Sequence, residues 1–260
     1  MTYCLGMLLK DGLVMIADTR TNAGVDNISY YKKLHILEDS DERTILACTA
    51  GNLSVTQSAF ARLAEGLEEN ADSDGPRFVG DMSNMNRVAS LVGEALQNSR
   101  EEISENVGED SQYSFSGSML LAGRFKGRPL RLFHIYKEGN FITCQPDRPF
   151  MQIGETKYGK PILDRALEYE TPLDDAVKTG LVSFDSTMRS NLSVGRPLDV
   201  AVIPASGDQK LMTLRIEETD EYFNMLSSKW ALALAQARAA LPMPPFMEGI
   251  YKDRETQSGD

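Results

Sequence analysis

Met1-Thr2-Tyr3-Cys4-Leu5-Gly6-Met7-Leu8-Leu9 opens the chain, and Leu13-Val14-Met15-Ile16-Ala17-Asp18 answers it across Lys10-Asp11-Gly12. The first run reads as a strand and the last as a buried return strand. Lys10-Asp11-Gly12 reads as the tight turn between them, with Gly supplying the backbone angles of a hairpin. Thr2 gives this hairpin its interest. Met1 precedes a small residue and is removable. Its removal would leave a hydroxyl and a free α-amine on one residue. The hydroxyl is a nucleophile, and the amine is a base with a reference pKa of about 7.7–8.0. With Met1 attached, the Thr2 nitrogen is an amide and has no basicity.

Downstream strands end in polar residues. Asp18-Thr19-Arg20 places an acid and a base after an apolar run. Tyr30-Tyr31-Lys32-Lys33 precedes the strand Leu34-His35-Ile36-Leu37. Thr44-Ile45-Leu46-Ala47 runs into Cys48-Thr49-Ala50-Gly51-Asn52, where small residues let backbone amides approach a ligand. Each has a plainer reading. Asp18 alone fits a turn or a cap, and Lys32 and Lys33 fit a solvated strand edge. His35 and His134 sit in apolar runs and read as packing residues. Two His and three scattered Cys offer no metal-ligand spacing.

Apolar spacing supplies the remaining elements. Leu53 to Glu69 and Asn84 to Val107 read as helices, the second carrying the stripe Val88, Leu91, Val92 and Leu96. Phe115 to Phe125, Leu130 to Tyr136 and Phe141 to Thr143 read as strands, with Gly123 to Gly127 as a hairpin turn. Tyr158 to Tyr169 and Leu173 to Asn191 read as a second helix pair. Val200 to Pro204 and Lys210 to Ile216 return to strand. Glu221 to Ala240 reads as a helix, which Pro242, Pro244 and Pro245 stop.

Composition bounds the function. The 260 residues (28.8 kDa) are enough for one large domain, and 42% hydrophobic residues is ordinary for a packed core. A net charge of −11 argues against a nucleic-acid surface, which needs clustered Lys and Arg. Cys4, Cys48 and Cys144 suit reduced, buried thiols. No apolar run reaches the length of a membrane span, and the N-terminus lacks the charged region of a secretory signal. These features together point to the cytoplasm.

Thr2, Asp18 in Ala-Asp-Thr-Arg and Lys33 in Lys-Lys-Leu resemble the proteasome β-type peptidases, which are N-terminal nucleophile hydrolases. The spacings of 16 and 15 residues match that family within one residue. Leu198-Asp199-Val200-Ala201-Val202-Ile203 resembles the family's late strand. The run Gln152 to Gly159 and the C-terminal extension resemble the bacterial Anbu subgroup. The resemblance implies an α+β fold, a four-layer α-β-β-α sandwich over residues 2–217, with residues 218–260 as a helix and Pro-rich tail. It implies a threonine-type peptidase that assembles with itself and cleaves peptide amides, with no metal or organic cofactor. Thr2 would be the nucleophile, Lys33 the cation beside it, and Asp18 the partner of Lys33. The backbone N–H of Cys48 would stabilise the oxyanion. Glu155 stands where the family has a Ser that supports the terminal amine, and Ser193 with Asn191 is the nearest match to a further support. Two other readings of the same chain are a structural ring subunit of low activity and a small-molecule amidase or acyltransferase.

Overall fold

The computed structural model describes residues 2–22, 28–68, 75–107, 115–207 and 210–247. The expectation that Met1 is removed concerns a residue outside these. The first helix, expected to reach Glu69, ends at Glu65, where Gly66 at φ of +93° stops it and Leu67 pairs with Arg77 instead. The chain divides into two compact units, Met1–Asp220 and Glu221–Asp260.

The first unit is built on two antiparallel sheets. One has the order β10-β1-β2-β11-β12, from β1 (Tyr3–Leu9), β2 (Gly12–Asp18), β10 (Phe150–Gly154), β11 (Leu198–Pro204) and β12 (Met212–Ile216). The other has the order β5-β6-β7-β8-β9, from β5 (Leu34–Asp39), β6 (Arg43–Gly51), β7 (Gly117–Phe125), β8 (Arg131–Ile135) and β9 (Phe141–Thr143). A short ribbon pairs β3 (Arg20–Asn22) with β4 (Ile28–Tyr30).

The sheets face each other through Cys4, Met15, Ala17, Leu46, Cys48 and Leu120, all fully buried. These residues alternate along their strands, so their sheets bury a second face as well. On the outer face of the second sheet lie α1 (Leu53–Glu65) and α2 (Met85–Val107), packed through Val55, Ala59, Val88, Val92 and Leu96 onto Leu121 and Phe133. On the outer face of the first lie α3 (Lys160–Ala166) and α4 (Leu173–Ser190), with α4 against β1 and β2. Gly180 permits that approach: a Cβ there would lie 2.8 Å from Ile16 and 2.9 Å from Met7. The result is the four-layer α-β-β-α sandwich.

One detail corrects the sequence reading. Gly12 is not among the glycines of positive φ. It is needed for space, because a Cβ there would lie 2.7 Å from the Ile203 carbonyl oxygen.

The second unit is dominated by α5 (Glu221–Ala240). Phe223 is its one buried residue, while Tyr222, Met225 and Leu232 are exposed. Their spacing of three and seven places them along one side of the helix. Leu241, Met243 and Phe246 beyond it are also exposed.

Candidate active site

Thr2 lies at the mouth of the sandwich, where β1 begins between β2 and β10. It is almost buried. β1 is fixed there by its first side chain. The Tyr3 ring stacks on Phe184 at 4.3 Å, and its hydroxyl bonds to Ser183 Oγ and accepts from Gln152 Nε2, each at 2.6 Å. Gly159 leaves room for this cluster, since a Cβ would lie 2.3 Å from Ser183 Oγ. Burial pushes the Tyr3 phenol above its ordinary value.

On the β2 side stand Asp18 and Lys33, both buried. Lys33 Nζ donates to Asp18 Oδ1 at 2.8 Å and to the Arg20 carbonyl at 2.5 Å. Asp18 Oδ1 also accepts the Tyr3 backbone N–H at 3.0 Å, which ties the pair to the residue following Thr2. Burial raises the Asp18 pKa, and the Lys33 charge and the hydrogen bonds it receives oppose that rise. The loop after α4 backs this side. Thr19 donates its N–H and its hydroxyl to the Pro197 carbonyl, and Arg20 Nη1 donates to the Leu192 carbonyl.

On the β10 side stands Glu155. Its N–H donates to the Thr2 carbonyl at 2.6 Å. Gly154 makes this contact, with φ of +82° and no room for a Cβ, which would lie 2.0 Å from the Thr2 oxygen. The Glu155 side chain is buried. Its Oε1 accepts the Lys157 backbone N–H and its Oε2 accepts Asn191 Nδ2, each at 3.0 Å. Asn191 Oδ1 in turn accepts the Ser193 backbone N–H at 3.0 Å. Ser193 therefore joins the cluster through its backbone. Of the two residues that the sequence offers as a further support, Asn191 is the one whose side chain reaches Glu155.

The Cys48 backbone N–H, expected as the oxyanion donor, lies within the β6 ladder. In an antiparallel ladder, the N–H groups along a strand turn alternately to its two neighbours. Thr49 N–H donates to the Lys33 carbonyl on the β5 side, and Asn52 N–H donates to Ser116 on the β7 side. Cys48 therefore turns its N–H to β7, opposite Leu120, where the ladder uses it. Gly51 turns to the β5 side. The strand opposite has ended there, because β5 begins at Leu34 and the Tyr31 N–H donates to Thr19. Gly51 is exposed, has φ of +108°, and immediately precedes Asn52, which caps α1 through Ser54 and Val55. The Cys48 thiol faces the core, where burial first and the Cys4 thiol second push its pKa well up.

A cavity of about 400 Å³ opens between Gly51 and Gly154, with Ser118, His134 and Tyr136 on its walls. His134 lies against Tyr136 and His35 against Phe60, with ring centroids 4.2 and 4.1 Å apart. Burial lowers the pKa of both imidazoles.

Two facing sheets between helical layers, with a threonine at the first strand and a buried Asp–Lys pair beside it, define the class of the proteasome subunits, and the proteasome subunit family model matches residues 2–203. The chain belongs to this family and, within it, to the Anbu group. It is 43% identical to Anbu (ancestral beta-subunit) from Yersinia bercovieri, with a TM-score of 0.81 over 93% of this chain and 98% of that one. It is 40% identical to the subunit of a helical assembly of the Anbu complex from Pseudomonas aeruginosa, with a TM-score of 0.84 over 94% of this chain and 98% of that one. A Gly-1 mutant of Anbu from Hyphomicrobium sp. strain MC1 is 41% identical, with a TM-score of 0.84 over 94% and 99%. Among curated proteins none matches significantly. No helix of the described residues is long and apolar enough to cross a membrane.

Proposed function

We propose that this chain is a threonine-type amide hydrolase acting on peptides, with Thr2 as nucleophile once Met1 is removed. The observation that carries this reading is the buried Lys33 ammonium, held between Asp18 Oδ1 and the Arg20 carbonyl at 2.8 and 2.5 Å. A desolvated ion pair beside the first strand is costly for a scaffold. It is useful to a nucleophile, since a cation there lowers the pKa of a neighbouring amine and hydroxyl.

The chemistry follows from these groups. The Thr2 amine takes the proton of the hydroxyl, directly or through a water, and Oγ1 attacks the amide carbon. The oxyanion that forms accepts the Gly51 N–H. Collapse breaks the C–N bond, and the ammonium returns the proton to the leaving nitrogen. The acyl group remains as an ester on Thr2. Water, deprotonated by the same amine, hydrolyses the ester and restores Thr2.

Residues 2–217 carry this chemistry, and residues 218–260 form an arm for self-assembly into a large homo-oligomer. The exposed Tyr222, Met225 and Leu232 on α5 support that role, as does the helical assembly of the Pseudomonas aeruginosa relative. The three free, buried thiols suit a reducing compartment.

The test is exposure of the purified protein to a peptide epoxyketone, followed by intact mass and N-terminal sequencing. The expected result is one adduct per chain on a protein that starts at Thr2. A processed protein that gains no adduct and cleaves no peptide would overturn the proposal.

A further inference from the structure

The charges around Thr2 do not balance among the described residues. Asp18 and Glu155 are both buried carboxylates, yet the site holds one buried cation, Lys33. Lys33 belongs to Asp18. The other buried acids nearby have cations of their own, with Asp185 paired to Arg189 and Asp199 to Arg215. Arg20, on the β2 side, is directed to Glu218 and the Leu192 carbonyl. Glu155 is held by two neutral donors, the Lys157 N–H and the Asn191 amide. A buried carboxylate held only by neutral donors keeps most of its desolvation cost, and a cation in reach removes it.

We propose that Glu155 is the counter-charge of the Thr2 α-ammonium in the processed protein, and that Asn191 is the positioning residue that holds Glu155 for this role. The proposal rests on the processing assumed above. Glu155 and Thr2 are joined by the bond from the Glu155 N–H to the Thr2 carbonyl, so the carboxylate originates beside the terminus. Each oxygen has one neutral donor and retains acceptor capacity for an ammonium. Each buried carboxylate then has one cation: Asp18 has Lys33, and Glu155 has the terminus.

This placement has a chemical consequence. A carboxylate favours the charged form of the amine and raises its pKa, while Lys33 lowers it. The base of the reaction is therefore held as ammonium in the resting site and becomes competent as pH rises through its midpoint. A hydroxyl at position 155 would stabilise the ammonium less.

The experiment titrates the amine itself. The chain is produced behind a cleavable fusion that leaves Thr2 as the first residue. Competitive acetylation by acetic anhydride across pH, read by peptide mass mapping, gives the apparent midpoint of the Thr2 amine. Glu155→Gln is expected to lower that midpoint by about one unit. The Gln side chain could turn its NH2 toward the Asn191 NH2 and impair folding. Glu155→Gln/Asn191→Asp restores a bond between the two positions with donor and acceptor exchanged. Its midpoint is expected between those of the parent and Glu155→Gln. Midpoints equal to the parent's, in whichever of these variants folds, would overturn the proposal. The readout needs no turnover. A parent that cleaves no peptide but shows the shift would remove the proposed function and leave this inference standing.

Discussion

The two flanks of Thr2 are built on opposite electrostatic plans. On the β2 flank, Asp18 and Lys33 form a closed pair, and the acid also accepts the Tyr3 N–H. On the β10 flank, Glu155 is held by the Lys157 N–H and the Asn191 amide, with no cation among the described residues. The first flank is complete as soon as the strands pair. The second is a neutral clamp around a charge. The difference teaches that a site can be preorganised where its geometry must be fixed and left open where a later event, here the release of the terminus, supplies the missing charge.

The comparison is broken most severely at Lys33. Lys33→Ala is expected to lower peptide hydrolysis by about 1000-fold, as when a preorganised charge-stabilising group is removed. The melting temperature should fall too, because a buried acid loses its cation. The chain should stay folded, since burial already biases Asp18 toward its protonated form. Hydrolysis at the parent rate would show that the β2 flank is only structural.

Next in size is the oxyanion donor. Gly51→Ala forces a Cβ to within 2.3 Å of the Ser116 carbonyl at φ of +108°. The displaced N–H should cost about 100-fold in kcat, with a smaller change in KM. Cys48→Ala is the control. It leaves the ladder N–H in place, so its rate should stay within about threefold of the parent while the lost thiol costs about 1 kcal/mol of stability in denaturant. If the two variants exchanged these effects, the assignment to Gly51 would be wrong.

A smaller loss is expected on the β10 flank. Gly154→Ala puts a side chain at φ of +82° against the Thr2 carbonyl. Strain of this kind costs about 1–3 kcal/mol, and the shifted Thr2 should lose about tenfold in kcat/KM. Guanidinium unfolding and peptide hydrolysis measure the two parts. Unchanged values in both would mean that β10 does not position the nucleophile.

The smallest effect on chemistry belongs to the tail. Deleting residues 241–260 removes the exposed Leu241, Met243 and Phe246. Light scattering should then report a lower assembly mass at micromolar concentration, while the epoxyketone adduct per chain stays the same. Full assembly of the truncated chain would assign the docking role elsewhere.

Much of this was legible in the chain. Helices α2 and α4 follow the apolar spacing that predicts them, to within a residue at each end. Thr2, Asp18 and Lys33 stand out together through their resemblance to the proteasome β-type pattern, each at or beside the end of a strand. Other features left no local signal. Cys48 and Gly51 lie three residues apart in one run of small residues, and nothing in that run says which N–H is free. Glu155 stood out only as a departure from a family pattern, and its hold on Asn191 spans 36 positions.

The sequence by itself determined the elements, their order and the chemistry that each side chain can offer. Hydrophobic periodicity, caps and breakers act within a few residues, and a hydroxyl, an acid and a lysine keep their chemistry in any fold. The tertiary structure alone decided which backbone amides the ladder uses and which acid holds which cation. The register between β5, β6 and β7 leaves Gly51 open and uses Cys48, and the packing of the loop after α4 gives Glu155 a neutral clamp. Both depend on partners far apart along the chain, and the alternation of a ladder or the burial of a charge exists only once those partners meet.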